Sequence, residues 1–258
     1  MRFTVKVGTS TLAHPTGLLN IRRVEELCRV LSDLKNAGHE IILVSSGAIG
    51  MGVGKLSLKE RPADIPGKQA AAAVGQCELM YTYDRLFQQY HHTVAQLLLT
   101  ADDFRQEDRH RNFQNTMSRL LELGVLPIIN ENDTIATDEI RVGDNDTLSA
   151  MVAVSVGAEL LVILSDIDGL YTADPHKNQN AERIPTVQKL TPEILHLAGG
   201  NGSPLGTGGM RTKLHAAEIC MPQGCDTVIL NGTRPESLYE LLDGGAVGTR
   251  FLSERSAK

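Results

Sequence analysis

The sequence predicts an α/β fold in which a mostly parallel β-sheet is covered by helices on both faces. Short apolar runs alternate along the chain with longer segments whose apolar residues recur at helical spacing. Such alternation implies right-handed crossovers between parallel strands. No Pro/Ser-rich linker and no internal repeat divides the 258 residues, so we expect one compact unit over residues 1–258, with two lobes at most.

Each element follows from its local pattern. The apolar runs typical of buried strands cover residues 3–7, 41–44, 94–99, 125–129, 160–164, 227–230 and 247–252. The segments with helical spacing cover residues 21–34, 69–90, 112–123, 147–156, 210–221 and 236–242. Gly38 and Gly124 stand where two of these helices end. Residues 55–67, with three basic residues and two prolines, are interpreted as a loop.

The composition restricts the classes of protein to which the chain can belong. Hydrophobic residues make up 41% of the chain and charged residues 22%, which is typical of a globular protein in water. The formal net charge of −6 argues against a nucleic-acid-binding protein. No run reaches the length of a membrane span and the first residues lack a signal peptide's apolar stretch, so we expect a cytoplasmic protein without a membrane partner.

Metal and disulfide chemistry are not indicated. The four cysteines have no metal-ligand spacing and are interpreted as small core residues. The eight histidines form no H-E-x-x-H motif, so no zinc site is predicted. We therefore predict no protein-borne metal site.

Two polar clusters follow the predicted strand at 125–129. Residues 130–134 read NENDT, and residues 143–150 read GDNDTLSA. Asn and Asp also form ordinary turns and caps. However, the carboxyl ends of strands in an open α/β sheet are where ligands bind, and two dense clusters at one such end indicate a ligand site.

A glycine run follows the second predicted strand. Gly47, Gly50, Gly52 and Gly54 do not match the dinucleotide-binding pattern G-x-G-x-x-G. They fit either a tight turn or a backbone that approaches a ligand closely, with Ser46 as a hydroxyl donor. The number of glycines favours the second interpretation.

A second glycine-rich stretch precedes the helix predicted from residue 210. Residues 206–213 read GTGGMRTK, which is not a P-loop because Thr212 precedes the lysine and Leu214 follows it. Glycines, free N–H groups at a helix start and the helix dipole nevertheless favour an anion. Lys213 lies about one turn into that helix. We therefore predict phosphate binding here.

The strand predicted at 160–164 ends in Ser165 and Asp166. The sequence D-x-D-G at 166–169 resembles part of a calcium loop, but Leu164 and Pro175 would occupy two ligand positions. A hydroxyl and a carboxylate at a sheet rim fit a nucleotide pocket better.

Six motifs occur together and in order, and they carry a resemblance to a known family. They are VKVGTS (5–10), VSSGAI (44–49), NEND (130–133), VGDND (142–146), GLYTADP (169–175) and GTGGMRTK (206–213). The chain resembles the glutamate 5-kinases of the amino-acid kinase superfamily over nearly its whole length. The resemblance implies a three-layer α/β/α sandwich like that of carbamate kinase. It also implies ATP- and Mg²⁺-dependent phosphorylation of the side-chain carboxylate of L-glutamate, the first step of proline biosynthesis.

The resemblance also implies roles for residues. The implied ATP-binding residues are Lys6, Ser165, Asp166, Thr207, Gly208, Gly209, Met210, Arg211, Thr212 and Lys213. The implied substrate-binding residues are Ser46, Gly47, Asp133 and Asn145. Chemistry adds a catalytic set: Lys6 and Lys213 would hold the migrating phosphoryl group from two sides, and Asp146 would orient both ammonium groups. Asp133 suits the substrate's ammonium group, whereas Ser46 and Asn145 offer neutral donors to its carboxylates.

Other expectations follow from the same resemblance. The amino-terminal part would bind glutamate and the carboxyl-terminal part ATP, without the carboxyl-terminal PUA domain of many family members. L-proline would be a feedback inhibitor, and the protein would form dimers or tetramers. Ser165 stands where a threonine is usual. Two alternatives remain open: another acyl kinase of the superfamily, or an inactive sensor that binds proline or glutamate.

Overall fold

The structure is a computed structural model that describes residues 1–14, 18–136, 144–175, 177–178, 180–198 and 209–256. One eight-stranded sheet runs through these residues, in the strand order β3-β4-β2-β1-β5-β7-β8-β6. The strands are β1 (Arg2–Val7), β2 (Glu40–Ser45), β3 (Val94–Leu99), β4 (Leu126–Glu131), β5 (Leu160–Ser165), β6 (Thr186–Val187), β7 (Asp226–Asn231) and β8 (Thr249–Phe251). Only the pairing of β7 with β8 is antiparallel within this described part, so the predicted mostly parallel sheet is confirmed.

Helices connect the strands and lie on both faces of the sheet. They are α1 (Thr9–Leu12), α2 (Ile21–Asn36), α3 (Ala48–Lys55), α4 (Ile65–Gln88), α5 (Ala101–Arg105), α6 (Glu107–Glu122), α7 (Asn145–Ser155), α8 (Pro192–His196), α9 (Met210–Cys220) and α10 (Ser237–Leu242). A 3₁₀ turn, Met221–Gln223, follows α9. In the described part of the chain, no helix combines the length and the apolar character needed to cross a bilayer.

Side-chain alternation along the strands builds the two cores. On β1, the residues Phe3, Val5 and Val7 point to a core shared with α2, α4 and α10. The opposite face of the sheet packs its own apolar side chains, such as Val44 and Ile163, against α6, α7 and α9. Period-two alternation in a strand that is covered on both sides requires this arrangement. The three-layer sandwich is thus confirmed.

The predicted elements recur with shifted ends, and the loop predicted at 55–67 is partly wrong. The helix expected from residue 69 begins at Ile65, because Asp64 accepts the N–H of Gly67 at 2.7 Å and so caps α4. Pro66 is compatible with a first helical turn. The short elements α3, α5, α8 and β6 have no periodicity of their own and were not predicted.

The glycines of α3 and α4 allow these two helices to approach closely. A Cβ atom built on Gly52 would lie 1.8 Å from the carbonyl oxygen of Ala71, and one on Gly75 would lie 1.8 Å from that of Ala48. Gly47 instead adopts a φ of 100° at the turn into α3. Gly47 and Gly50 line a pocket, whereas Gly52 is required for helix packing.

Gly75→Ala is expected to lower the free energy of unfolding by about 1–3 kcal/mol, because the added methyl group forces α3 away from α4. Helix propensity alone would predict the opposite sign, a gain of up to about 1 kcal/mol. Urea denaturation followed by circular dichroism measures the change. The matched control is Gly50→Ala in α3, whose Cβ would meet its nearest atom at an ordinary 3.8 Å. Equal stability of the two variants would contradict the packing argument.

The cysteines have mixed environments. Cys28, Cys220 and Cys225 are buried in the cores as predicted, whereas Cys77 is exposed on α4. All four are free thiols.

Candidate active site

A pocket of about 550 Å³ opens at the carboxyl ends of β1, β2, β4 and β5. Because these four strands are parallel, their ends meet at one rim of the sheet. Residues 8–10, 46–50 and 61–63 form much of its wall. The two polar clusters of the sequence contribute Glu131, Asp133, Asp144 and Asn145. The ligand site predicted at this rim therefore has a cavity to accommodate it.

Lys6, Asp146 and Lys213 form one cluster at the base of this pocket. The Lys6 Nζ lies 2.7 Å from Oδ1 of Asp146, and the Lys213 Nζ lies 3.2 Å from Oδ2. Asp146 is fully buried, while Lys6 and Lys213 retain only 7% and 5% of their surface. Both lysines line the pocket. Two cations from opposite ends of the chain thus share one carboxylate and face one cavity.

Secondary structure explains how the three residues meet. Lys6 is an even-numbered residue of β1, so it points away from Phe3, Val5 and Val7 towards the face covered by α7 and α9. Asp146 and Lys213 lie in the first turns of α7 and α9, two helices that pack against each other. The positive end of the α7 dipole also favours a carboxylate at that position.

Asp146 remains ionised in this environment. Burial alone would raise the pKa of its carboxyl group. The ammonium groups of Lys6 and Lys213 outweigh this effect and lower the pKa well below its ordinary value. The Thr212 hydroxyl acts in the same direction by donating to Oδ2 at 2.7 Å. The buried cluster therefore carries two positive charges and one negative charge.

The residues at the start of α9 that were predicted to bind ATP have different environments. Gly209 precedes the helix and its carbonyl oxygen lies 3.5 Å from Lys213 Nζ. Met210 packs against a small third core and Arg211 is exposed. Thr212 contacts Asp146 rather than the open pocket. The predicted residues Thr207 and Gly208 lie outside the described residues.

Ser165 and Asp166 lie at the carboxyl end of β5, on the side of the pocket that this strand forms. Both residues line the cavity, and the Ser165 hydroxyl donates to Asp166 Oδ1 at 3.1 Å. The sequence prediction placed them at the sheet rim, and the structure brings them beside Lys6 and Lys213.

Ser46, Gly47, Asp133 and Asn145 line the pocket on the side of β2 and β4. The Asn145 Nδ2 lies 2.8 Å from Ser46 Oγ, 3.1 Å from the Ser45 carbonyl oxygen and 3.0 Å from Asn130 Oδ1. Its two N–H bonds therefore already have acceptors. The role of this amide as a donor to a substrate carboxylate therefore stays a prediction, while Oδ1 has no hydrogen-bond partner among the described residues.

Several lining residues were given no individual role from the sequence, among them Asp144, Arg61 and Lys68. Asp144 caps α7 by accepting the N–H of Thr147 at 2.8 Å, and burial, with the neighbouring charge of Asp146, raises the pKa of its carboxyl group. Its position within the acidic cluster was the available signal. Arg61 and Lys68 line the opposite wall. They come from a segment without periodicity, where nothing in the sequence separates them from surface residues.

This combination of fold and site defines a small-molecule kinase. Two buried ammonium groups and a helix start converge on one pocket, as phosphoryl transfer requires. The sequence profile of the amino acid kinase family matches residues 1–231.

Comparison with known proteins identifies the group of kinases that this chain is similar to. Glutamate 5-kinase of Clostridium acetobutylicum is 53% identical over 97% of this chain and 94% of its own length. Glutamate 5-kinase of Clostridium perfringens is 51% identical over 98% of this chain and 96% of its own length. The chain belongs to the amino acid kinase family, within its group of glutamate 5-kinases.

A solved structure supports the fold. Carbamate kinase from Giardia lamblia, bound to AMP-PNP, superposes with a TM-score of 0.70 over 98% of both chains at 16% identity. At that identity the likeness concerns the fold alone.

Proposed function

We propose that the protein transfers the γ-phosphoryl group of ATP to the side-chain carboxylate of L-glutamate, giving L-glutamyl 5-phosphate and ADP. The carrying observation is the buried Lys6–Asp146–Lys213 cluster, which presents two ammonium groups to one cavity. Relatives named glutamate 5-kinase, about half identical over nearly the whole chain, support glutamate as the acceptor. The reaction is the first step of proline biosynthesis.

The carboxyl-terminal part of the single domain, 1–258, holds ATP in this proposal. Ser165, Asp166 and Lys213 line the cavity on this side, and the start of α9 attracts the phosphates of the nucleotide. Mg²⁺ neutralises phosphate charge when it is bound with ATP. Among the described residues no group of three His, Cys, Asp or Glu side chains could hold a metal ion. That fits an ion carried mainly by phosphate oxygens and water.

The amino-terminal part of the domain holds glutamate. Asp133 accepts the substrate's ammonium group, and the unpartnered Oδ1 of Asn145 is likewise an acceptor. The γ-carboxylate lies against Ser46 and Gly47, where α3 begins without a side-chain cap and leaves its first N–H groups open. The hydroxyl of Ser46 accepts from Asn145 and so can turn its own proton to a carboxylate.

The chemistry requires orientation and charge neutralisation. The acceptor is already an anion, so no strong general base is needed when a γ-carboxylate oxygen bonds to phosphorus and the bond to the β-phosphate oxygen breaks. Bringing a carboxylate against a triphosphate places like charges together. Lys6 and Lys213 offset this repulsion, and Asp146 keeps both ammonium groups aimed into the cavity.

Asp133→Asn is expected to raise the KM for glutamate roughly 10- to 100-fold, the loss of one hydrogen bond between charged groups. The KM for ATP should change little, because Asp133 lies on the β4 side of the pocket, away from Ser165 and Asp166. Initial rates with each substrate varied in turn measure both constants. An equal rise in the two KM values would reject this role for Asp133.

The proposed function is tested by ADP release from the purified protein with L-glutamate, N-acetylglutamate, carbamate and a nucleoside monophosphate. Release that depends on L-glutamate is expected. ADP release with another acceptor alone would favour a different acyl or phosphoryl acceptor, and no release with any of them would favour a sensor.

The family resemblance supports two further proposals, inhibition by L-proline at the glutamate site and assembly into dimers or tetramers. Proline should raise the apparent KM for glutamate without lowering the maximal rate. Light scattering measures the mass of the assembly.

A further inference from the structure

One part of the pocket wall is formed by residues 61–63 and Lys68. The fold holds this segment in place. Asp64 caps α4, and Pro62 lies so close to Gly67 that a Cβ there would be 2.7 Å from the proline Cβ. Gln69 Nε2 donates to the carbonyl oxygen of Ala136 at 3.4 Å, which ties α4 to the loop after β4. Arg61 and Lys68, which both line the cavity, thus stand on a backbone segment that these contacts hold in place.

Among the residues that the structure describes, neither of these two cations has an anionic partner. Neither forms an ion pair with a described residue, whereas Lys55, close by on α3, pairs with Glu78 at 2.8 Å. The acids of the pocket are engaged elsewhere. Asp144 caps α7 and Asp166 accepts from Ser165, and Glu131 and Asp133 have interactions of their own in the protein. This wall therefore presents positive charge to the cavity.

The position of Lys68 supports a functional role. It lies in the fourth position of α4, whose first turn contains no acidic residue, and it is only half-exposed. The dipole at the start of a helix favours anions and disfavours cations. A lysine in that place, aimed along a cavity wall, is stabilised when an anion binds.

The substrate supplies such an anion. If the γ-carboxylate of glutamate meets Lys6, Lys213 and the start of α3, its α-carboxylate still needs a partner. The N–H bonds of Asn145 already have acceptors within the protein, whereas Arg61 and Lys68 form no ion pair with a described residue. We propose that Arg61 and Lys68 bind the α-carboxylate of glutamate and so make the enzyme select acceptors with a free α-carboxylate. An arginine can bind a carboxylate through two parallel hydrogen bonds. This inference rests on the proposed function.

The test compares L-glutamate with L-isoglutamine, in which the α-carboxylate is an amide and the γ-carboxylate remains. The wild type should prefer glutamate in kcat/KM. In Arg61→Gln and Lys68→Gln, the KM for glutamate should rise roughly 10-fold or more, with kcat and the KM for ATP nearly unchanged. The preference for glutamate over isoglutamine should fall by the same factor. The matched control, Lys59→Gln, changes an exposed lysine two residues before Arg61 that does not line the pocket.

The two levels of the proposal fail in different ways. A wild type that releases no ADP with glutamate rejects the proposed function and this inference with it. An active wild type whose variants keep the preference for glutamate rejects the inference alone. A rise in the KM for ATP instead would assign the two cations to the nucleotide. Circular dichroism of each variant shows whether it is folded.

Discussion

Replacing Lys213 by alanine is expected to lower kcat roughly 100-fold or more, the scale seen when one preorganised donor to a transition state is lost. Lys213 is a buried residue and lines the same cavity as Lys6. Nothing else on α9 can replace it, because Arg211 points outward. The KM for glutamate should change far less, since the charge acts on the migrating phosphoryl group. Steady-state ADP release measures both constants.

The control for this substitution is Lys189→Ala, which removes an exposed lysine of the same half of the chain. It should retain the wild-type kcat. If Lys213→Ala turned over as fast as this control, Lys213 would have no part in the transfer.

Asp146→Asn is expected to have the second large effect, on stability as well as on turnover. The substitution leaves the ammonium groups of Lys6 and Lys213 buried without their counter-charge. Removing one partner from a buried ion pair costs about 3–5 kcal/mol of unfolding free energy. The kcat should also fall, because the two cations repel each other and lose their orientation. Urea denaturation and ADP release measure the two effects.

The stability effect has a defined pH dependence. The pKa of Asp146 is lower in the folded protein than in the unfolded chain. Its contribution is therefore fully present above the unfolded pKa of about 4 and is lost as the pH falls through the lower folded value. The difference in stability between wild type and Asp146→Asn should persist at pH 5 to 8 and shrink only in strong acid. Asp243→Asn, at an exposed position after α10, should show no such difference. If the difference in stability between wild type and Asp146→Asn disappeared near neutral pH, the ion-pair explanation would be contradicted.

Periodicity predicted most of the secondary structure because long elements repeat their pattern several times. The strand at 94–99 was predicted with the bounds that the structure gives, and the helix from Ile21 extends only two residues beyond its predicted end. Short elements escaped prediction because five residues contain barely one helical turn. The segment at 55–67 shows the same limit: Pro66 and Asp64 were visible in the sequence, but only the structure shows that the Asp64 side chain caps a helix that begins at Ile65.

The candidate site divides in the same way. Lys6, Asp146, Lys213, Ser165 and Asp166 could be selected from the sequence, since each follows a strand or begins a helix, or stands within an ordered motif. The sequence did not show which individual atoms form hydrogen bonds within the protein. The Asn145 amide nitrogen lies within hydrogen-bond distance of Ser45, Ser46 and Asn130. The Thr212 hydroxyl donates to Asp146. Such pairings join residues as many as 100 positions apart, and no local pattern records them.

The sequence by itself determined the α/β class, the rim of the sheet that carries the site, and the residue types needed for phosphoryl transfer. These properties depend on local periodicity and on motifs of a few neighbouring residues. Only the tertiary structure decided that Thr212 contacts Asp146, that Gly52 and Gly75 are required by helix contact, and that Arg61 and Lys68 line the cavity. The physical reason is that burial and ion pairing depend on distances between segments, which are fixed when the layers pack around the sheet.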